Sequence, residues 1–245
     1  MYGALIGFSL GLTGGGGSII TLPVLVYLIG QSVHQAIGTS LAVVGGVAAQ
    51  GFTAQRRRVR FRSGWTVGLL GVLGNVPGSL LAGHVSSRLL LVLFAAVMFI
   101  SAFAMLFVRL PTAVAGSEPH WIAVALVGVG LGFLTGFLGV GGGFLIVPML
   151  VFALGFEMKA AIATSLFVIF VNTVVAIVPR LHHAQIDWAV AALLFTGGLA
   201  GNSAGLALAK GLDQRRLKVI FALFVLLVGA FTGLSALHLI PVNVK

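Results

Sequence analysis

Gly14-Gly15-Gly16-Gly17-Ser18-Ile19-Ile20-Thr21-Leu22-Pro23 returns further along the chain as Gly139-Val140-Gly141-Gly142-Gly143-Phe144-Leu145-Ile146-Val147-Pro148. Pro23 and Pro148 are 125 positions apart, and so are Thr39-Ser40 and Thr164-Ser165. Gly71-x-x-Gly74-Asn75-x-x-Gly78 returns as Gly198-x-x-Gly201-Asn202-x-x-Gly205, offset now by 127, so about two residues entered an intervening loop. Three features repeated in one order indicate an internal duplication. In an apolar chain, two halves that each carry a glycine-broken helix form the sequence pattern of a secondary transporter.

Composition places the chain in a bilayer. Of 245 residues 59% are hydrophobic and 7% charged, against about 25% charged in soluble domains. Apolar stretches of 18 or more residues recur, long enough to cross a hydrocarbon core of about 30 Å. The absence of cysteine excludes disulfides and thiolate metal sites. Residues 1–12 show no basic leader or small-residue cleavage site. The second copy's first helix extends further upstream than the first copy's, which points to a shortened N-terminus. The net charge of +10 follows first from topology, since Lys and Arg gather in cytoplasmic loops. It can also make an electropositive vestibule for anions. The basic residues lie in short loops between spans, which argues against nucleic acid as a partner.

Hydropathy and breakers give five segments per half, near 1–13, 17–30, 36–54, 63–84 and 88–109, then 120–138, 143–155, 159–179, 187–208 and 215–238. The first repeat is 1–109, the linker 110–119 and the second repeat 120–245. Each half's first two segments are either one broken span or a hairpin that returns to its own side, and the positive charges discriminate. Four spans per half put Arg56, Arg57, Arg58, Arg60, Arg62, Arg109, Arg180 and Lys245 on one side and the other six on the opposite side, with no useful bias. A hairpin puts Arg56 to Arg62, Arg109, Lys159, Lys210, Arg215, Arg216 and Lys218 together, leaving Arg88, Arg180 and Lys245, or 11 against 3. The expectation is therefore an all-α polytopic membrane protein of two inverted repeats, with glycine-tipped broken or re-entrant hairpins meeting near the midplane. Both termini lie outside on this reading. Unwound backbone at that depth persists only where protein buries it or it lines a cavity.

Candidate binding residues follow from the repeated polar and glycine positions. Gly14, Gly15, Gly16 and Gly17, and Gly141, Gly142 and Gly143, permit the backbone angles of an N–H nest, each just before a helix whose positive dipole end favours an anion. Their other use is close helix packing. Thr39, Ser40, Thr164 and Ser165 offer hydroxyls that can donate to an oxyanion, or bond back to their own helix. Asn75 and Asn202 lie mid-span, where an unpaired amide costs several kcal/mol, so each needs a neighbouring helix or a substrate. Their flanking glycines clear a groove beside each amide. Asn172 and Gln50 have no counterpart in the opposite half and rank lower. His182-His183 is better suited to an interfacial loop than to a metal, and no metal or other cofactor is implied. Trp65, Trp121 and Trp188 fall near span ends, as an aromatic belt would place them. Glu118, Glu157, Asp187 and Asp213, the only acids, fall near loops or span ends, which leaves no mid-membrane carboxylate for a proton or sodium relay. No catalytic dyad, triad or nucleotide-binding motif is visible, so an enzyme is not expected.

The glycine turn, proline and Thr-Ser-Leu, present twice, with Ile186-Asp187-Trp188 opening a later helix, resemble the sulfite exporter TauE/SafE family over nearly the whole chain. The first half reads Val59-Arg60-Phe61 where the second has its acidic opening, so no symmetric role is given to Asp187. The resemblance implies a bacterial-type inner-membrane transporter of sulfite, sulfonates such as sulfoacetate, or related anions, usually outward. The partners it implies are a small anionic substrate and the lipid bilayer, and a homodimer is compatible with it. Two rivals predict different outcomes: cation-coupled uptake of a sulfur compound, and a membrane scaffold that transports nothing.

Overall fold

A glycine ends the first helix and sends the chain back. The computed structural model describes residues 1–82, 84–108, 119–138, 143–181 and 186–236. Helix α1 (Tyr2–Thr13) stops at Gly14, whose φ of 75° is the left-handed cap that glycine adopts without penalty, and the Gly14 N–H donates to the Leu10 carbonyl at 2.7 Å. Helix α2 (Gly16–Pro23) follows. A Cβ on Gly17 would lie 2.6 Å from the Ile6 carbonyl oxygen and 2.8 Å from Leu10 Cβ. A straight helix would separate residues 6 and 17 by about 16 Å, so α2 folds back along α1. Pro23 sits inside α2, and the chain continues through a widened turn at Val24–Leu28, where the Ile29 N–H reaches the Val24 carbonyl.

The remaining helices are α3 (Val33–Ala54), α4 (Phe61–Ala82), α5 (Ser87–Phe107), α6 (Trp121–Leu138), α7 (Gly143–Phe152), α8 (Met158–Leu181), α9 (Trp188–Gly211) and α10 (Gln214–Ala236). The described residues contain no strand. Among them, seven helices, α3 to α6 and α8 to α10, are long and apolar enough to cross a membrane. The 10-residue α7 spans only about 15 Å. Leu73, Ile100 and Leu227, in the central turns of α4, α5 and α10, and Leu126 and Leu193, in the second turn of α6 and α9, are each more than 60% exposed. An apolar belt that wide is a lipid-facing surface.

The two halves interleave. α1 runs along α9 and α6 runs along α4, while α3 meets α8, α5 meets α10 and α2 meets α7. Small residues make the first two contacts. On α1, a Cβ at Gly3 or Gly7 would strike the carbonyl oxygen of Leu194 or Gly198 of α9. On α6, a Cβ at Gly132 or Gly136 would strike the carbonyl oxygen of Gly71 or Asn75 of α4. In return, Gly201 and Gly205 face the Ala4 and Phe8 carbonyls, and Gly74 and Gly78 face those of Val129 and Phe133. The grooves expected beside Asn75 and Asn202 are thus filled by helix backbone from the opposite half. Such close approach is how membrane helices gain packing energy without a hydrophobic driving force.

Polar contacts show which helix ends lie together. Lys159 Nζ donates to the Lys210 carbonyl at 3.0 Å, the Met158 N–H donates to Gln214 Oε1 at 3.1 Å, and Lys218 Nζ donates to the Val108 carbonyl. The Arg60 N–H reaches Thr164 Oγ1. The start of α4, the end of α5, the start of α8, the end of α9 and the start of α10 therefore share one end of the bundle. Arg56 to Arg62, Lys159, Lys210, Arg215, Arg216 and Lys218 all belong to that end. The start of α9 lies at the other, where Gln31 Nε2 donates to Asp187 Oδ2 at 3.3 Å.

Candidate functional site

Gly15 and Gly143 touch. A Cβ on Gly15 would collide with the Gly143 carbonyl, and one on Gly143 would lie 2.8 Å from the Gly15 carbonyl oxygen and 2.6 Å from Ser18 Oγ. The starts of α2 and α7 thus meet inside the bundle. Gly14 to Gly17 are buried, and α7 is buried on every side from Gly143 to Pro148. Phe94 of α5 closes edge-on over Phe144, with ring centroids 5.2 Å apart. Gly141 and Gly142 lie outside the described residues, as does the His182-His183 pair.

Side chains finish the first turn. Thr13 Oγ1 donates to the Ser9 carbonyl at 2.6 Å and accepts from the Gly16 N–H at 2.9 Å. Ser18 and Thr21 donate to the Gly15 and Gly17 carbonyls, each at 2.7 Å. The Ser165 hydroxyl, fully buried on α8, lies 2.7 Å from the Gly14 carbonyl oxygen and 2.8 Å from that of Ile162. Ser165 is therefore at the glycine turn of the other half, with its hydroxyl bonded to backbone carbonyls. Ser40 is half-buried.

The threonines do something else. Thr39 Oγ1 accepts the Asp187 N–H at 3.2 Å, and Thr164 Oγ1 accepts the Arg60 N–H at 3.1 Å. Each buried hydroxyl receives an N–H just before the first turn of the opposite half's fourth helix. Asp187 itself caps α9 through Oδ1, accepting the Val190 N–H at 3.0 Å. Thr39→Val and Thr164→Val should each cost about 1 kcal/mol, the usual loss of a helix-start partner, read as a lowered thermal midpoint in detergent.

Asn75 and Asn202 share a motif and not an environment. Asn202 is fully buried. Its Nδ2 donates to the Val47 carbonyl at 3.3 Å and to Gln50 Oε1. Gln50 Nε2 in turn donates to Ser203 Oγ at 2.8 Å. Asn75 is exposed, and its Nδ2 lies 3.5 Å from Thr135 Oγ1, at the limit of a hydrogen bond. The difference comes from the facing helix. The positions 125 further on from Val47 and Gln50 are Asn172 and Val175, so α8 carries a valine where α3 carries the amide that receives Asn202. Gln50 and Asn172 ranked lower by sequence because neither is duplicated, and of the two Gln50 joins the amide contacts. Gln50 holds Asn202, and Asn172 Oδ1 is buried without a partner among the described residues, facing Gly68 of α4. Lack of a counterpart is itself the signal that the two interfaces differ.

At the basic end, Arg62, Ser63, Thr66, Pro119, Trp121 and Val124 line a recess of about 190 Å³. Beside it, Phe167 of α8 is only 4% exposed and meets Phe52, Phe61 and Trp65 edge-on, at centroid distances of 5.3, 5.1 and 5.2 Å.

An all-helical polytopic bundle whose short, glycine-started helices meet in its interior defines a membrane transporter. The family model for the sulfite exporter TauE/SafE matches residues 1–232, and the chain belongs to that family. It is 33% identical over 240 residues to a "Probable membrane transporter protein" of Xylella fastidiosa (strain 9a5c), covering 94% of this chain and 91% of that one. It is 27% identical over 259 residues to the "Probable membrane transporter protein YunE" of Bacillus subtilis (strain 168), covering 94% of each. No solved structure matches the chain.

Proposed function

We propose that this multi-pass protein exports small sulfur-containing oxyanions, sulfite and sulfonates such as sulfoacetate, across the cell membrane by alternating access. The contact between Gly15 and Gly143 carries this reading. Two helix starts converge there, each bringing N–H groups and a positive dipole end to one buried place. Ser165 braces the first turn by donating to the Gly14 carbonyl. The two repeats would be inverted, with both termini outside and the arginine-bearing end cytoplasmic, in keeping with the excess of positive charge there.

The moving bodies would not be the two sequence halves. α1 is seated on α9, and α6 on α4, through glycine backbone, so separating the halves would tear both contacts. Rocking of the α1–α9 pair against the α4–α6 pair keeps them intact. The driving force is sufficient for export, because each negative charge leaving a cell with a negative interior gains about 2.3 kcal/mol per 100 mV.

Efflux of sulfite from proteoliposomes under an imposed membrane potential tests the reading. Potential-driven efflux supports it, and its absence from folded protein, with sulfoacetate also retained, removes it. Gly15→Ala, whose methyl would push Gly143 away, should lower that flux by at least roughly tenfold, the effect of about 1.4 kcal/mol on a barrier. Gly211→Ala, which meets nothing within 4 Å, should transport normally.

A further inference from the structure

Helices α4 and α6 run side by side in the same direction. Val67 lies beside Gly128, Gly74 beside Val129 and Gly78 beside Phe133, so position advances along both together. Their first residues, Phe61 and Trp121, are therefore at the same, basic end of the bundle. Helical hydrogen bonding begins there with the Gly64 N–H donating to the Arg60 carbonyl at 2.8 Å and the Val124 N–H to the His120 carbonyl at 3.2 Å. The N–H groups ahead of these have no carbonyl in their own helix, and two positive dipole ends lie side by side.

The recess of about 190 Å³ lined by Arg62, Ser63, Thr66, Pro119, Trp121 and Val124 opens between these helix starts. Ser63 is only 4% exposed, and its hydroxyl has no hydrogen-bond partner among the described residues, although it lines the recess. A buried hydroxyl is costly to leave so, and an acceptor in the recess would take its proton. Thr66 is already committed, because its Oγ1 donates to the Arg62 carbonyl at 3.0 Å. The Arg62 guanidinium carries a fork of donors that matches phosphate oxygens. Among the described residues, no acidic side chain lines the recess. Such a lining suits an oxyanion.

The other wall separates a lipid headgroup from a free ion. Trp121 is 67% exposed, Trp65 and Phe61 are exposed beside it on α4, and Val124 completes the apolar side. Indole rings in the first turn of a span sit at headgroup depth. Arg56, Arg57 and Arg58 add positive charge at the same end, and basic pockets between membrane helices hold anionic headgroups.

We propose that this recess binds the phosphate group of an anionic phospholipid. Ser63 Oγ and the Arg62 guanidinium donate to its oxygens, the starts of α4 and α6 add their dipoles, and Trp121 and Val124 lie along the glycerol and the upper acyl chain. The lipid bridges the two repeats, since α4 belongs to the first and α6 to the second. The site does not depend on what the protein transports.

The test uses the purified full-length protein in detergent. Thermal midpoints are compared with dioctanoyl phosphatidylglycerol, dioctanoyl phosphatidylcholine or inorganic phosphate at equal concentration, and native mass spectrometry counts the phosphatidylglycerol retained. Phosphatidylglycerol should raise the midpoint by several degrees and remain bound as one molecule, whereas phosphatidylcholine and inorganic phosphate should leave the midpoint unchanged. Arg62→Gln and Ser63→Ala should each weaken that binding roughly tenfold. Arg56→Gln, at the same end but outside the recess, should leave it nearly unchanged. Arg62 is exposed, so its replacement tests the proposal even if Ser63→Ala does not fold. Equal shifts from the two lipids overturn the proposal. An equal shift from inorganic phosphate does so too, by making the occupant a free oxyanion. A loss in Arg56→Gln as large as in Arg62→Gln would mean general attraction to the basic face and would also overturn it.

Discussion

Replacing Gly132 with alanine should prevent the bundle from assembling. Gly132 faces Gly71 so closely that an added Cβ would run into the Gly71 carbonyl oxygen and crowd its carbonyl carbon at 2.6 Å and Cα at 2.7 Å. The obstacle is backbone, which no rotamer change can clear, so α4 and α6 must separate along their length. Overpacking costs about 1–3 kcal/mol and occasionally more, and a backbone obstacle puts this site at the upper end, a large share of a typical total stability of about 5–15 kcal/mol. The expected result is loss of the monodisperse peak in size-exclusion chromatography, or a steep fall in thermal midpoint. Gly7→Ala should behave alike, because Gly7 meets the Gly198 backbone in the same way. Gly130→Ala is the control on the same helix. Nothing lies within 4 Å of that position, and alanine is the better helix former by about 1 kcal/mol. If Gly132→Ala is as stable as Gly130→Ala, the α4–α6 contact is not the one described.

These glycines mark where the sequence can be read and where it cannot. The turn at Gly14 and the helix start at Gly143 are legible because a duplicated glycine run beside a proline has few uses in a bilayer. The grooves beside Asn75 and Asn202 are legible as surfaces cleared of side chains, but their occupant is not. Gly3-x-x-x-Gly7-x-x-x-Gly11 and Gly128-x-x-x-Gly132-x-x-x-Gly136, again 125 apart, are the complementary strips. Each strip names itself as a close-packing face, but no local feature says which other strip it meets. Thr39 and Thr164 show the same limit. Their duplication is plain, whereas the N–H groups they receive, from Asp187 and Arg60, are 148 and 104 positions away. Asn75 and Asn202 show it most sharply, since identical local motifs have opposite burial, and the Gln50 that receives Asn202 is matched by Val175 in the other half.

The same asymmetry appears at the two ends of the bundle and yields a second large effect. Phe52, Phe61, Trp65 and Phe167 close the junction of α3, α4 and α8 at the arginine-bearing end. The corresponding positions in the other half are Ile177, Trp188, Ala192 and Ala42, so the opposite end has one ring where this end has four. Phe167 is the hub, with three edge-on partners. Phe167→Ala should cost about 3–5 kcal/mol, the usual loss for a buried phenylalanine, and should open this end specifically. The chain has no cysteine, so a single Ala163→Cys probe reports that opening without background. Ala163 is fully buried beside Phe167. With Phe167 intact, the probe should resist a membrane-impermeant thiol reagent. In the Phe167→Ala background it should react, while the mirror probe Gly38→Cys near the other end should not change. Equal labelling of the Ala163→Cys probe with and without Phe167 would mean that the rings stabilise this end without sealing it. Labelling that rises only in the Phe167→Ala background would identify the aromatic cluster as the barrier between the arginine-lined face and the glycine turns.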